Sequence, residues 1–155
     1  MMKTKLLPFF LLALAFGCTR PDLVSPEEEE AIRQARAKGA TILTVQKPTP
    51  IGGLVVNLLT LQDCRCPKDV ICFWYGHAVA TLHLQDANGQ TLNQQLYLGE
   101  QLPAPNNRGF RTADTVLVQL SNKPYRIILS DVQPYPGFNN PSPSEKKAMV
   151  SVSAL

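Results

Sequence analysis

The chain has 155 residues, 45% of them apolar and 17% charged, with a formal net charge of +3. That length fits one domain and the apolar share excludes wholesale disorder; a charge so near balance lacks the basic excess of a nucleic-acid binder. Thirteen prolines and nine glycines point to many turns.

Residues 1–17 read as an address. Lys3 and Lys5 precede an apolar run from Leu6 to Phe16. That run is about the length of a signal-peptide core and shorter than a bilayer span of about 20 residues. Gly17 then stands before Cys18. A small residue before a cysteine at the end of such a core resembles a bacterial lipobox. The resemblance implies diacylglycerol on the Cys18 thiol, cleavage before it and acylation of the new amine. Thr19, in place of Asp, resembles the outer-membrane sorting position of lipoproteins from Gram-negative bacteria. Several acyl chains anchor stably, because each buried methylene contributes about 0.8 kcal/mol. Removal of residues 1–17 takes Lys3 and Lys5 with it, so the formal charge falls from +3 to +1.

Residues 18–39 form the lipidated tether and a short helix. Ser25-Pro26 ahead of Glu27, Glu28, Glu29 and Glu30 predicts the helix start. A serine caps free N–H groups, proline suits the first turn, and acids favour the positive end of the dipole. Arg33, Arg36 and Lys38 lie toward the other end, and Gly39 stops the helix. Glu29 and Arg33 have the spacing and order of an ion pair. The apolar face is thin: Ala31, Ile32, Ala35 and Ala37. The acidic run reads as a solvated helix start rather than a cation site.

Residues 40–155 are expected to be a β-domain. Apolar and polar residues alternate over 42–47, 78–84 and 92–98. Leu54 to Leu61 is nearly continuous in apolar character, and further runs cover 116–120, 125–132 and 149–155. These make about seven strands. Asn88-Gly89 is a hairpin signal, and Asn122-Lys123-Pro124 a second turn. The expected fold is all-β, an antiparallel sandwich or small barrel of about seven strands, preceded by a signal peptide and one short N-terminal helix. Two Pro-rich loops, residues 102–113 and 134–147, interrupt the rhythm, and long irregular loops on a β body are where binding surfaces sit. Arg108, Phe110, Arg111, Tyr135 and Phe138 are the candidate binding residues there. Replacing Arg111 and Tyr135 is then expected to weaken a partner without unfolding the domain.

Cys64, Cys66 and Cys72 cluster in one segment with Trp74, the only tryptophan, and Gly76. An exported chain meets oxidising conditions, which favour a disulfide. Cys66 and Cys72 enclose a turn opened by Pro67, and Cys64–Cys72 is the alternative pairing. A loop so short contributes roughly 2–3 kcal/mol in the chain-entropy model. Trp74 is expected to pack near the bridge as core. A metal site would use Cys64, Cys66, Cys72 and His77, whose thiolates and imidazole suit zinc or copper, although the spacing is not a zinc-knuckle pattern. A redox thiol is the third reading, with Arg65 and Lys68 lowering thiol pKa values.

The pattern Cys66-Pro67-x-Asp69-Val70-x-Cys72-x-Trp74-x-Gly76, leading into a strand, resembles a motif of small uncharacterised bacterial lipoproteins. Tyr125-Arg126-Ile127 and Asp131-Val132-x-Pro134-Tyr135-Pro136 fit the same group, so the resemblance spans about residues 40–155. It implies the pair Cys66–Cys72, with Cys64 a candidate free thiol. It brings no established activity.

The chain has no G-x-S-x-G, H-E-x-x-H, phosphate-binding loop or dinucleotide fingerprint. His83 lies on a polar strand face, and Asp63, Asp69 and Asp131 are the carboxylates to watch. The expectation is a lipid-anchored envelope protein of the outer membrane, a non-enzymatic binding or structural module without cofactor. Its partners would be the membrane, through the anchor, and an envelope protein or glycan. The alternatives are a metal-handling protein using Cys64, Cys66, Cys72 and His77, or a small envelope enzyme.

Overall fold

The computed structural model describes residues 24–100, 109–137 and 141–155. The expected signal peptide, with Cys18 and most of the tether, lies outside the described residues. A helix, α1 (Pro26–Ala37), opens the described chain. The Ser25 hydroxyl accepts the Glu28 N–H at 3.2 Å, Pro26 occupies the first turn, and Gly39 at φ +79° ends the helix. Arg33 pairs with Glu30 rather than the expected Glu29, and Gln34 donates to the same carboxylate. Glu30 is thus reached from both the third and the fourth following positions, and this shared contact decides the pairing.

Eight strands follow among the described residues: β1 (Thr41–Thr44), β2 (Thr49–Ile51), β3 (Leu54–Asp63), β4 (His77–Gln85), β5 (Thr91–Gly99), β6 (Asp114–Leu120), β7 (Lys123–Gln133) and β8 (Lys147–Ala154). They form two antiparallel four-stranded sheets, ordered β1-β8-β7-β6 and β2-β3-β4-β5. The fold is therefore a sandwich rather than a closed barrel. Isolated bridges, Val45 with Leu58 and Gly99 with Arg111, pin the two sheets together. The strand beyond the expected seven is β2, a three-residue edge strand carrying Pro50. Proline is tolerated there because an edge strand leaves one row of backbone groups unpaired.

The period-two pattern places the core. Leu54, Val56, Leu58, Ala78, Ala80, Leu82, Leu84, Leu96 and Leu98 face inward from one sheet. Leu43, Val118, Leu120, Tyr125, Ile127, Leu129, Val132, Ala148 and Val150 meet them from the other. Fully burying one such leucine is worth roughly 1.5–3 kcal/mol. Met149 points the opposite way, under α1, where it packs with Ala35 and Ala40 and against Ala31, Ile32 and Ile42. The thin face of the helix is enough to cover one buried side chain on the sheet's outer surface.

Two β-bulges change which side chains face the core. The β3–β4 register shifts between Leu58 and Thr60, and the β7–β8 register between Leu129 and Asp131. Each extra residue reverses the inward set. In β3 the buried positions change from Leu54, Val56 and Leu58 to Leu61, and Asp63 turns inward behind it. The bulge explains why apolar Leu61 falls out of phase with Leu54, Val56 and Leu58 in that run. In β7 the buried set changes from Tyr125, Ile127 and Leu129 to Val132.

The loops divide by length between the two ends of the sandwich. Tight turns at 52–53, 86–90 and 121–122 occupy one end. Ser121 and Asn122 both have positive φ, the two-residue hairpin geometry that matches strand twist. The three long connections, β3–β4, β5–β6 and β7–β8, emerge at the other end, together with the start of α1.

Candidate functional site

The end that carries the long loops rests on a buried ionic cluster. The β3 bulge turns Asp63 inward, where its side chain is fully buried. Its Oδ1 accepts the Arg65 backbone N–H at 3.3 Å and Nε at 2.8 Å. Its Oδ2 accepts Arg65 Nη2 and Lys146 Nζ, both at 2.8 Å. Arg65 Nη2 also donates to the Val132 carbonyl at 2.6 Å, and Lys146 Nζ to the Pro134 carbonyl at 3.2 Å. Asp131 lies 3.9 Å from the guanidinium, and the Tyr135 ring sits 4.3 Å from it. Burial pushes the Asp63 carboxyl up, but the hydrogen bonds and charges of Arg65 and Lys146 outweigh it and hold the carboxyl below its ordinary value. One carboxylate thereby fastens the β3–β4 loop to the β7–β8 loop.

On this base the β3–β4 hairpin continues past the sheet. Cys64 N–H donates to the His77 carbonyl and Cys66 N–H to the Tyr75 carbonyl, each at 2.8 Å. The disulfide Cys66–Cys72 closes the tip. Gly76, at φ +67°, permits the turn; a Cβ there would stand 2.0 Å from the Cys64 carbonyl oxygen. Lys68 ties the loop outward twice, through its N–H to the Pro136 carbonyl at 3.2 Å and through its ammonium to Glu27 of α1. Glu28, buried beside Glu27, pairs with Lys147 at 2.5 Å. The acidic helix start is therefore a docking device as well as a solvated one.

The tip itself is apolar and uncovered. Ile71 and Phe73 are 104% and 106% exposed, and Tyr75 is 69% exposed. Val70 and Trp74 are also exposed. Trp74 is not core, despite its place next to the bridge: it is 41% exposed, and the hairpin projects beyond both sheets, so no strand among the described residues covers it. It leans on His77, with ring centroids 5.8 Å apart. Tyr75 meets Phe110 edge-to-face at 5.4 Å.

Of the expected binding residues, Arg108 and Phe138 lie outside the described residues. Phe110 is exposed and joins the hairpin through Tyr75. Arg111 instead turns inward, ion-paired with buried Asp114 and 4.8 Å from the Tyr97 ring centroid. Tyr135 is half-spent covering Arg65. Arg111 therefore supports its loop, whereas Tyr135 both covers Arg65 and remains exposed. The cysteine pairing implied by the lipoprotein resemblance is the one formed, and Cys64 is a free, exposed thiol. The bridge removes two of the four candidate metal ligands, and among the described residues no group of three or more His, Cys, Asp or Glu is placed to hold a metal ion. His83 bonds Asn93 at 2.8 Å on the strand surface.

The alternation pattern does not single out residues 70–75 as a surface, yet they carry a signal of their own. Six consecutive apolar residues without alternation begin inside the Cys66–Cys72 ring and run three residues past it. No protein-family model, curated protein or solved structure matches the chain.

Proposed function

We propose that this protein is a lipid-anchored module of the bacterial cell envelope, held at the outer membrane through Cys18, and that it works by binding rather than by catalysis. The observation that carries the reading is the gathering of an exposed apolar hairpin and the other long loops at one end of an otherwise ordinary sandwich. A contiguous exposed apolar patch marks an interaction site in a folded protein. The Gly17-Cys18 junction after a short apolar core supports the anchor, as does the resemblance of the Cys66–Gly76 motif to bacterial lipoproteins. Asp63, the most buried of the candidate carboxylates, is committed to Arg65 and Lys146, which supports a structural role for it.

Mass spectrometry of the mature protein from its native membrane tests the anchor. The expected N-terminus is Cys18 carrying acyl chains, in a fraction that sediments with the outer membrane. An unmodified N-terminus, or a mature chain beginning elsewhere, overturns the anchor. For the binding end, a photoreactive residue in place of Phe73 is expected to give adducts in intact cells, while one at Leu117 on a strand's outer face gives few. Equal labelling at both overturns the assignment of the surface.

A further inference from the structure

We propose that the hairpin tip, residues 70–75, seats in the interfacial layer of the phospholipid membrane to which the chain is anchored. The inference rests on the anchor reading above and names the occupant of that surface. Three observations carry it.

The first is chemistry. Residues 70–75 are Val, Ile, Cys, Phe, Trp and Tyr, without a charge. Ile71 and Phe73 stand wholly clear of the domain. The polar atoms on these side chains, outside the bridged sulfur, are the Trp74 ring N–H and the Tyr75 hydroxyl. A glycan or a charged peptide asks for more polar partners than these. A lipid interface asks for apolar side chains with Trp and Tyr at headgroup level.

The second is shape. The tip is convex, stapled by Cys66–Cys72 and braced from below by Asp63, Arg65 and Lys146. A loop closed by a disulfide has less backbone freedom to lose when it enters an interface.

The third is position. The Lys68–Glu27 ion pair places the same loop, two residues before the tip, beside the first turn of α1, where the chain arrives from Cys18. Seven residues, 19–25, separate Cys18 from α1. Fully extended at about 3.3–3.6 Å each, they span about 25 Å. An acylated Cys18 therefore holds the domain with this end within reach of the bilayer. Among the described residues no helix is long and apolar enough to cross a membrane.

Trp74 is the chain's only tryptophan, so its fluorescence reports the tip alone. The mature protein, purified from membranes, is reconstituted into vesicles of phosphatidylethanolamine and phosphatidylglycerol. The expected result is a blue-shifted emission quenched by brominated acyl chains and protected from aqueous iodide. The double variant Ile71→Ser, Phe73→Ser, with an unchanged melting temperature, is expected to restore iodide access. Burial of one such side chain corresponds to about tenfold or more in partitioning. Acylated, vesicle-bound protein whose Trp74 stays open to iodide overturns the inference and leaves the anchor standing. So does a Trp74 open in lipid vesicles but shielded in native envelopes, which would assign the tip to a protein partner. If Cys18 proves unmodified, the anchor reading fails separately. Flotation of that chain with vesicles, with bromolipid quenching, would still support the tip, and absence of flotation would overturn it.

Discussion

At the scale of single residues, Asp63 holds the loop-bearing end together. Its carboxylate answers two buried cations at once, with Asp131 the second acid nearby. Removing one member of a buried ionic set strands the others without a counter-charge, at a cost of about 3–5 kcal/mol. Asp63→Asn is therefore expected to lower the free energy of unfolding by about that amount, measured by urea titration at neutral pH. The pH dependence has a definite sign. The folded carboxyl has a lowered pKa, so the unfolded chain takes up the proton first. The stabilisation is complete above the ordinary aspartate value of about 3.9 and is lost as pH falls through the lower folded value. In Asp63→Asn that acid limb of the stability curve should flatten. An unchanged limb would show that other carboxylates govern acid unfolding.

At the scale of elements, the disulfide hairpin is a unit distinct from the sheets that launch it. Cross-linking residues six apart removes about 2 kcal/mol of loop entropy from the unfolded chain. Cys66→Ser and Cys72→Ser should each lower the midpoint of thermal unfolding accordingly. Cys64→Ser, at a free and exposed thiol, should shift stability by no more than about 0.5 kcal/mol. Equal effects at all three positions would contradict the pairing. The helix is an element of another kind. Its intrinsic signals set its ends, but packing over Met149, with the ion pairs of Glu27 to Lys68 and Glu28 to Lys147, sets where it lies.

At the scale of the whole molecule, one end is built for economy and the other for exposure. The tight-turn end connects strands through two-residue turns at 52–53 and 121–122 and a five-residue turn at 86–90. The opposite end carries Ile71 and Phe73 on a projection where neither side chain is buried. Ile71→Ser and Phe73→Ser should leave unfolding free energy within about 0.5 kcal/mol of the parent chain, since both side chains are fully exposed. Leu82→Ala in the core should cost about 2–5 kcal/mol. Calorimetry on the three variants separates the classes. A large loss at Phe73 would mean that the tip folds back onto the domain.

Local chemistry wrote the helix caps, the Asn88-Gly89 turn and the alternating strands of an all-β domain into the sequence, because each depends on neighbours within a few residues; that the sheets form a sandwich and not a small barrel was left to the tertiary structure. The pairing of Cys66 with Cys72 was legible only beside a competing partner at Cys64. Tertiary structure alone decided the rest. Two bulges reversed the facing of β3 and β7, and no period-two reading can register an extra residue until the partner strand is in place. That reversal buried Asp63 where Arg65 and Lys146, 2 and 83 positions away, could meet it. Tertiary structure also left Trp74 exposed. Burial of an apolar side chain requires an opposing surface, and the sheets end before the hairpin does.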